Sequence, residues 1–111
     1  MSSDDKTDLV FKALAAPIRR DILDALRDTP QTTGEICARF SHLNRCTVMQ
    51  HLGVLEEAEL VLVRRAGRQR WNYLNASPIK HIHDRWIGDY AMGAVSMIDR
   101  LKTGLETETV A

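Results

Sequence analysis

The feature that most constrains this chain lies at Glu59, where the spacing of apolar residues changes its period. Upstream, Val48, Leu52 and Leu55 recur at four- and three-residue steps, the stripe of a helix with one buried face. Asn44 is a good N-cap for that helix, which the pattern carries to about Ala58. Downstream, Leu60-Val61-Leu62-Val63-Arg64-Arg65 reads as a strand, and Arg68 to Leu74 as its partner. Gly67 sits at the tip between them, where a positive φ is needed. A helix that runs straight into a hairpin tipped with arginines leaves few folds open.

The elements before Asn44 narrow the choice. Residues Asp4 to Asp8 offer N-caps for a first helix carrying Leu9, Val10, Ala13 and Leu14. Pro17 interrupts it and suits the first turn of a second helix, in which Ile18, Ile22, Leu23 and Leu26 share a face. Asp28-Thr29-Pro30 closes that helix. Thr32 or Thr33 caps a short third helix from Glu35 to Phe40, with Ile36, Cys37 and Phe40 turned inward. Ser41-His42-Leu43 is then the turn into the fourth helix, whose outer face is Arg45, Cys46, Met49, Gln50 and Gly53. Two helices joined by a short turn, followed at once by a hairpin, make a winged helix-turn-helix. The expected class is mainly α with one small β-hairpin: four helices, the hairpin, then a fifth helix.

Ser77-Pro78, an N-cap followed by proline at N1, opens that last helix. The pattern carries it to about Glu106, roughly 42 Å at ~1.5 Å per residue. Ile79, Ile82, Trp86, Tyr90, Gly93, Met97, Leu101 and Leu105 recur along it at three- and four-residue steps. So small a domain cannot cover so long a stripe, and a second copy of the chain is the natural cover. The reading is one domain over 1–111, with a DNA-binding core at 8–75 and a dimerisation helix at 77–106. The expected interface is Leu9, Val10, Ile82, Trp86, Tyr90, Met97 and Leu101.

Composition excludes several classes. The 111 residues suit one domain, and no apolar run approaches the ~20 residues that span a bilayer. The polar start Met1-Ser2-Ser3-Asp4-Asp5 is not a signal peptide, so the expected location is the cytoplasm. Cys37 and Cys46 make neither a disulfide framework nor a CxxC pair. Glycine-rich phosphate loops, nucleophile elbows and HExxH are all missing, which speaks against an enzyme. Net charge is zero, yet Arg64, Arg65, Arg68 and Arg70 fall together with no acid among them. That distribution marks a local contact surface.

Three segments carry a family resemblance. Phe11-Lys12-Ala13-Leu14-Ala15-Ala16-Pro17-Ile18-Arg19-Arg20-Asp21-Ile22-Leu23 resembles the opening of the ArsR-type (arsenic-repressor-like) winged-helix repressors of bacteria. Residues Thr47 to Val61, with Met49-Gln50-His51-Leu52-Gly53-Val54-Leu55 at their centre, resemble that family's recognition helix and exit. Residues Arg64 to Asn75 resemble its wing. The resemblance implies a dimer built from the first and last helices, with the fourth helix in the major groove of duplex DNA. Gly53 stands where the family often has lysine, and Glu59 where it usually has glycine. The family's metal-sensing positions on the third helix fall on Thr32 and Gly34, which make no thiolate pair. His81 and His83 lie about 200° apart on a helical wheel, so they do not clamp one ion together. The chain therefore resembles the metal-independent branch, with no cofactor expected and no inducer specified.

Side-chain chemistry then assigns roles. Arg45 can read guanine and Gln50 adenine, while Met49 or Cys46 can meet a thymine methyl. Asn44 and Thr47, in the first turn, suit phosphate, and His51 is either a contact or a structural residue. Arg64, Arg65, Arg68 and Arg70 suit phosphate and the minor groove, and strand alternation puts Arg68 and Arg70 on one face, so they need not act like Arg64 and Arg65. The expected partner is an operator with the symmetry of the dimer, and the expected action is repression. Two alternatives keep the fold: a thiol-, metal- or ligand-responsive repressor, Cys46 being the thiol nearest DNA, and a winged helix that binds only proteins.

Overall fold

The computed structural model describes residues 3–88 and 92–110. Among these, six helices and one small sheet follow in order: α1 (Ser3–Leu14), α2 (Pro17–Leu26), β1 (Gln31–Thr32), α3 (Thr33–Arg39), α4 (Arg45–Glu57), β2 (Val61–Ala66), β3 (Gln69–Leu74), α5 (Ser77–Trp86) and α6 (Met92–Val110). They form two compact units, one reaching to Ile79 and one starting at Lys80.

The first unit is the winged helix. Its core joins Val10 and Ala13 of α1, Ile22, Leu23 and Leu26 of α2, Ile36 and Phe40 around α3, and Val48, Leu52 and Leu55 of α4. Leu60 and Val61 close it from the start of β2. Val10 was expected between two chains, but at 3% exposure it is already core of a single chain. The reason is its place on the side of α1 that packs on α2 and α4. Cys37, expected buried, is only half-buried.

Local chemistry sets each helix end. Pro17 takes N1 of α2, whose N-cap Ala16 has no side chain to bond the free amides. Thr32 and Glu35 form a reciprocal capping box at α3: Thr32 Oγ1 accepts from the Glu35 amide at 3.1 Å, and Glu35 Oε1 accepts from the Thr32 amide. Asn44 Oδ1 accepts from the Thr47 amide at 2.8 Å and starts α4. The last carbonyls of α1 are satisfied from α2, since Arg19 donates to Lys12 O and Ala13 O and Arg20 donates to Leu14 O.

The exit of α4 carries the geometry that a glycine would ordinarily take. The Leu60 amide bonds Leu55 O and the Glu59 amide bonds Glu56 O, the paired bonds of a Schellman turn. Glu59 supplies the left-handed residue, at φ 62°. Asn75 clamps the turn, its side-chain amide on Glu59 O and its backbone amide on Leu60 O, both at 2.8 Å. The left-handed conformation costs an L-residue about 1–2 kcal/mol, and glycine returns part of that gain through its freer unfolded chain. Glu59→Gly should therefore raise stability by about 0.5–1 kcal/mol. Urea unfolding at unchanged m-value tests this, and a destabilised variant would show that the carboxylate itself holds the turn.

The sheet has the order β1-β3-β2, all antiparallel. The hairpin expected from sequence is present, with Gly67 at φ 63° in its turn. The third strand, β1, was not expected: Gln31 and Thr32 pair with Asn72 and Trp71. Asn72 is fully buried and donates to Gln31 O at 3.2 Å and Thr33 Oγ1 at 3.1 Å, tying the central strand to the start of α3.

The second unit corrects another expectation. A single last helix from 77 to 106 was read from the apolar spacing, but α5 ends at Trp86. Gly88 takes φ 65°, and the amides of Ile87 and Gly88 both turn back to His83 O, which closes the helix. Periodicity alone does not register such a stop. Along α6, Met97, Ile98, Leu101 and Leu105 share a face, and each is more than half exposed. Tyr90 lies outside the described residues. Among the described residues no helix is long and apolar enough to cross a membrane.

Candidate nucleic-acid interface

The core stripe Val48, Leu52 and Leu55 fixes the rotation of α4 and so decides what its other face presents. Arg45, Cys46, Met49, Gln50 and Gly53 are all exposed, the face expected from sequence. A Cβ added at Gly53 would meet nothing within 4 Å, so the middle of this face is flat and open.

The wing is shaped by register. Arg65 lies opposite Arg70, Val63 opposite Asn72 and Val61 opposite Leu74, so these six side chains share the face that packs toward the helices. Arg64 lies opposite Trp71 on the other face, and Arg68 is in the turn. Four arginines adjacent in sequence thus point three ways. Between wing and α4 runs a groove of about 440 Å³, lined by Arg45 and Met49 of α4, by Thr32, Thr33 and Gly34 at the start of α3, and by Arg65, Gly67, Arg68, Gln69 and Arg70 of the wing. It brings together Arg45, Met49, Arg65, Arg68 and Arg70 of the expected contacts. Arg64, Asn44, Cys46, Thr47, Gln50 and His51 do not line it.

Charge pairing separates these residues further. Among the described residues Arg45, Arg64, Arg65 and Arg68 have no carboxylate partner, whereas Arg70 Nη2 lies 2.5 Å from Glu56 Oε1. Arg70 is therefore paired with a carboxylate of the same chain, in a part-exposed contact that its residue type did not reveal. The Asn44 side-chain oxygen is taken by the Thr47 amide, so that residue shapes the helix start.

His51 serves as a structural link. Its Nδ1 lies 3.2 Å from Arg19 Nη1, the guanidinium that also holds the end of α1. Burial, and then the Arg19 charge, push its pKa below the usual histidine value. A neutral imidazole accepting from Arg19 ties α4 to the α1–α2 corner. Arg19 and Arg20 were missed as structural residues; their place just after Pro17, within reach of the preceding helix end, was the available signal.

Elsewhere, Cys37 and Cys46 are both free, and Cys46 is exposed on the α4 face. His83 and Lys80 both bond Asp84, at 3.3 Å each, and hold its pKa below the ordinary carboxylate range. No group of three or more His, Cys, Asp or Glu side chains converges as a cation site among the described residues.

This arrangement has close parallels. A helix-turn-helix domain family matches residues 14–64. The transcriptional repressor SdpR of Bacillus subtilis (strain 168) is 34% identical over 71 residues, covering 64% of this chain and 78% of its own. The HTH-type transcriptional regulator YuzN of the same organism is 36% identical over 86 residues, 72% of this chain and 94% of its own. In structure, an ArsR-like transcriptional regulator from Rhodococcus sp. RHA1 superposes with a TM-score of 0.67, covering 96% of this chain and 95% of that one. At 19% identity that likeness is one of fold.

Proposed function

The chain belongs to the ArsR-type helix-turn-helix transcriptional regulators, DNA-binding proteins and not enzymes, and on that premise we propose that it is a homodimeric repressor of a palindromic operator. The carrying observation is the groove between α4 and the wing, where the guanidinium groups of Arg45, Arg65 and Arg68 stand without a carboxylate partner among the described residues. The planar fork of Arg45 on the exposed helix face suits a base edge, and those of Arg65 and Arg68 on the wing suit phosphates. Arg45, Met49 and Gln50 are the proposed base readers, with Cys46 beside them. Arg65 and Arg68 are the proposed phosphate and minor-groove contacts.

The proposed dimer uses α6 with Ile82 and Trp86 of α5 and Leu9 of α1, forming with the winged-helix unit one functional domain in the cytoplasm. Repression is the action that SdpR's name records for that relative. Regulation without a metal is part of the proposal, since Thr32 and Gly34 offer no thiolates.

Salt dependence tests the reading. Binding to a labelled duplex should weaken steeply as salt rises, through release of condensed counterions. Arg68→Ala should flatten the slope by about 0.9 on specific and scrambled duplexes alike. A winged helix that bound only proteins would show no such slope.

A further inference from the structure

Arg70 differs from its neighbours in one respect that the DNA-binding reading does not explain. It lies in the same groove as Arg45, Arg65 and Arg68, yet its guanidinium is held at 2.5 Å by Glu56 near the end of α4. Register places Arg65 directly across the hairpin from Arg70, on the same face. Two like charges opposite one another on paired strands repel. The Glu56 carboxylate stands against one member of that pair and offsets the repulsion.

The contact also spans two elements that must keep a fixed relation. Glu56 lies on the helix that presents Arg45 and Met49, and Arg70 on the strand leaving the wing turn. Two residues along that strand, Asn72 is fixed by the start of α3. The central strand is thus tied to both helices of the helix-turn-helix, by an ion pair to α4 and by one hydrogen bond to Thr33 of α3.

We infer that Glu56 is a positioning and specificity-determining residue: by holding Arg70 it withdraws one cation from the phosphate-binding set and keeps the wing from repelling itself. The inference rests on the DNA-binding reading above. Each added phosphate contact strengthens binding to any sequence equally, so an arginine left free here would raise background affinity without improving discrimination. Glu56 keeps that background low. Arg65 and Arg68 do the anchoring.

The test compares wild type, Glu56→Gln, Arg70→Ala, the double variant and Arg68→Ala by titration against a labelled duplex of scrambled sequence at several salt concentrations. Thermal unfolding of each variant confirms that it is folded. Glu56→Gln, nearly isosteric, should tighten binding at low salt and steepen the slope by about 0.9, the signature of one new phosphate contact. Arg70→Ala should keep the wild-type slope, and the double variant should match Arg70→Ala. A wild-type slope in Glu56→Gln, or flattening in Arg70→Ala equal to that in Arg68→Ala, overturns the assignment. If wild type itself shows no salt-dependent binding, the DNA-binding reading fails first, and the two failures are thereby told apart.

Discussion

Glutamate placed at both Met97 and Leu101 of α6 is expected to split the proposed dimer and weaken operator binding by about 10²–10⁴-fold. The two side chains are 64% and 63% exposed and one helical turn apart. Ile98 and Leu105 extend the same face, so a paired α6 would bury a continuous strip from each copy. Full burial of a Leu or Met side chain is worth about 1.5–3 kcal/mol, and the double change removes two from each copy. It also puts four carboxylates where they would need to be desolvated without partners. The loss on DNA follows from geometry: a dimer that has engaged one half-site holds its second α4 at high effective concentration over the other. A monomer has only the affinity of one half-site. Sedimentation and binding to one- and two-site duplexes measure both effects, and a variant that stays dimeric would place the interface elsewhere.

Arg45→Ala should cost about 1–3 kcal/mol of binding to the cognate site and relax preference at one base pair of each half-site. Arg45 is the first residue of α4, immediately after the Asn44 cap. Helix-turn-helix proteins read bases chiefly from that end of the recognition helix, with half-sites about one helical turn, ~34 Å, apart. A planar fork there can take both acceptors of a guanine edge, and alanine leaves them unsatisfied. The salt slope should change little. Selection of preferred sites from a random pool by wild type and variant reads the outcome. An unchanged preference with a flatter slope would make Arg45 a phosphate anchor.

Much of this was legible because two periods meet in one short chain. The stripe Val48, Leu52 and Leu55 and the alternation after Leu60 place α4 and the wing without any tertiary knowledge, Asn44 marks the start of α4, and of the two caps offered for α3 the structure uses Thr32. The elements that sequence reading missed have no side-chain pattern of their own. Strand β1 is two polar residues whose place comes from backbone pairing with β3 and from the Asn72 amide. The stop after Trp86 depends on one glycine taking a positive φ inside an otherwise unbroken apolar rhythm. At the site, residue types gave the exposed face of α4, but strand alternation alone grouped Arg68 with Arg70, whereas the register sets Arg65 opposite Arg70 and leaves Arg68 in the turn. Their difference is one of register and of partner, and Glu56 lies fourteen positions from the arginine it holds. The helix end at Glu59 was readable as a departure from the family's glycine; only the structure shows that the left-handed turn is kept regardless.

The charges on α4 run against the electrical sense of the helix. Its first turn has no acid and begins with Arg45, while its last turn has no base and contains Glu56 and Glu57. A helix exposes partial positive charge at its start and partial negative charge at its end, so this order disfavours α4 as an isolated segment. The core beneath Val48, Leu52 and Leu55 has to hold it in shape. A second groove, at the far end of α4, sharpens the polarity: Asp5, Asp8 and Glu57 line it with Leu9 and Lys12. Within the winged-helix unit, α4 thus runs from a basic groove to a mainly acidic one. A unit polarised in this way is expected to turn its Arg45 end toward a polyanion as it approaches. The polarity of α4 would therefore act on the angle of approach, a property separate from the reading of sequence.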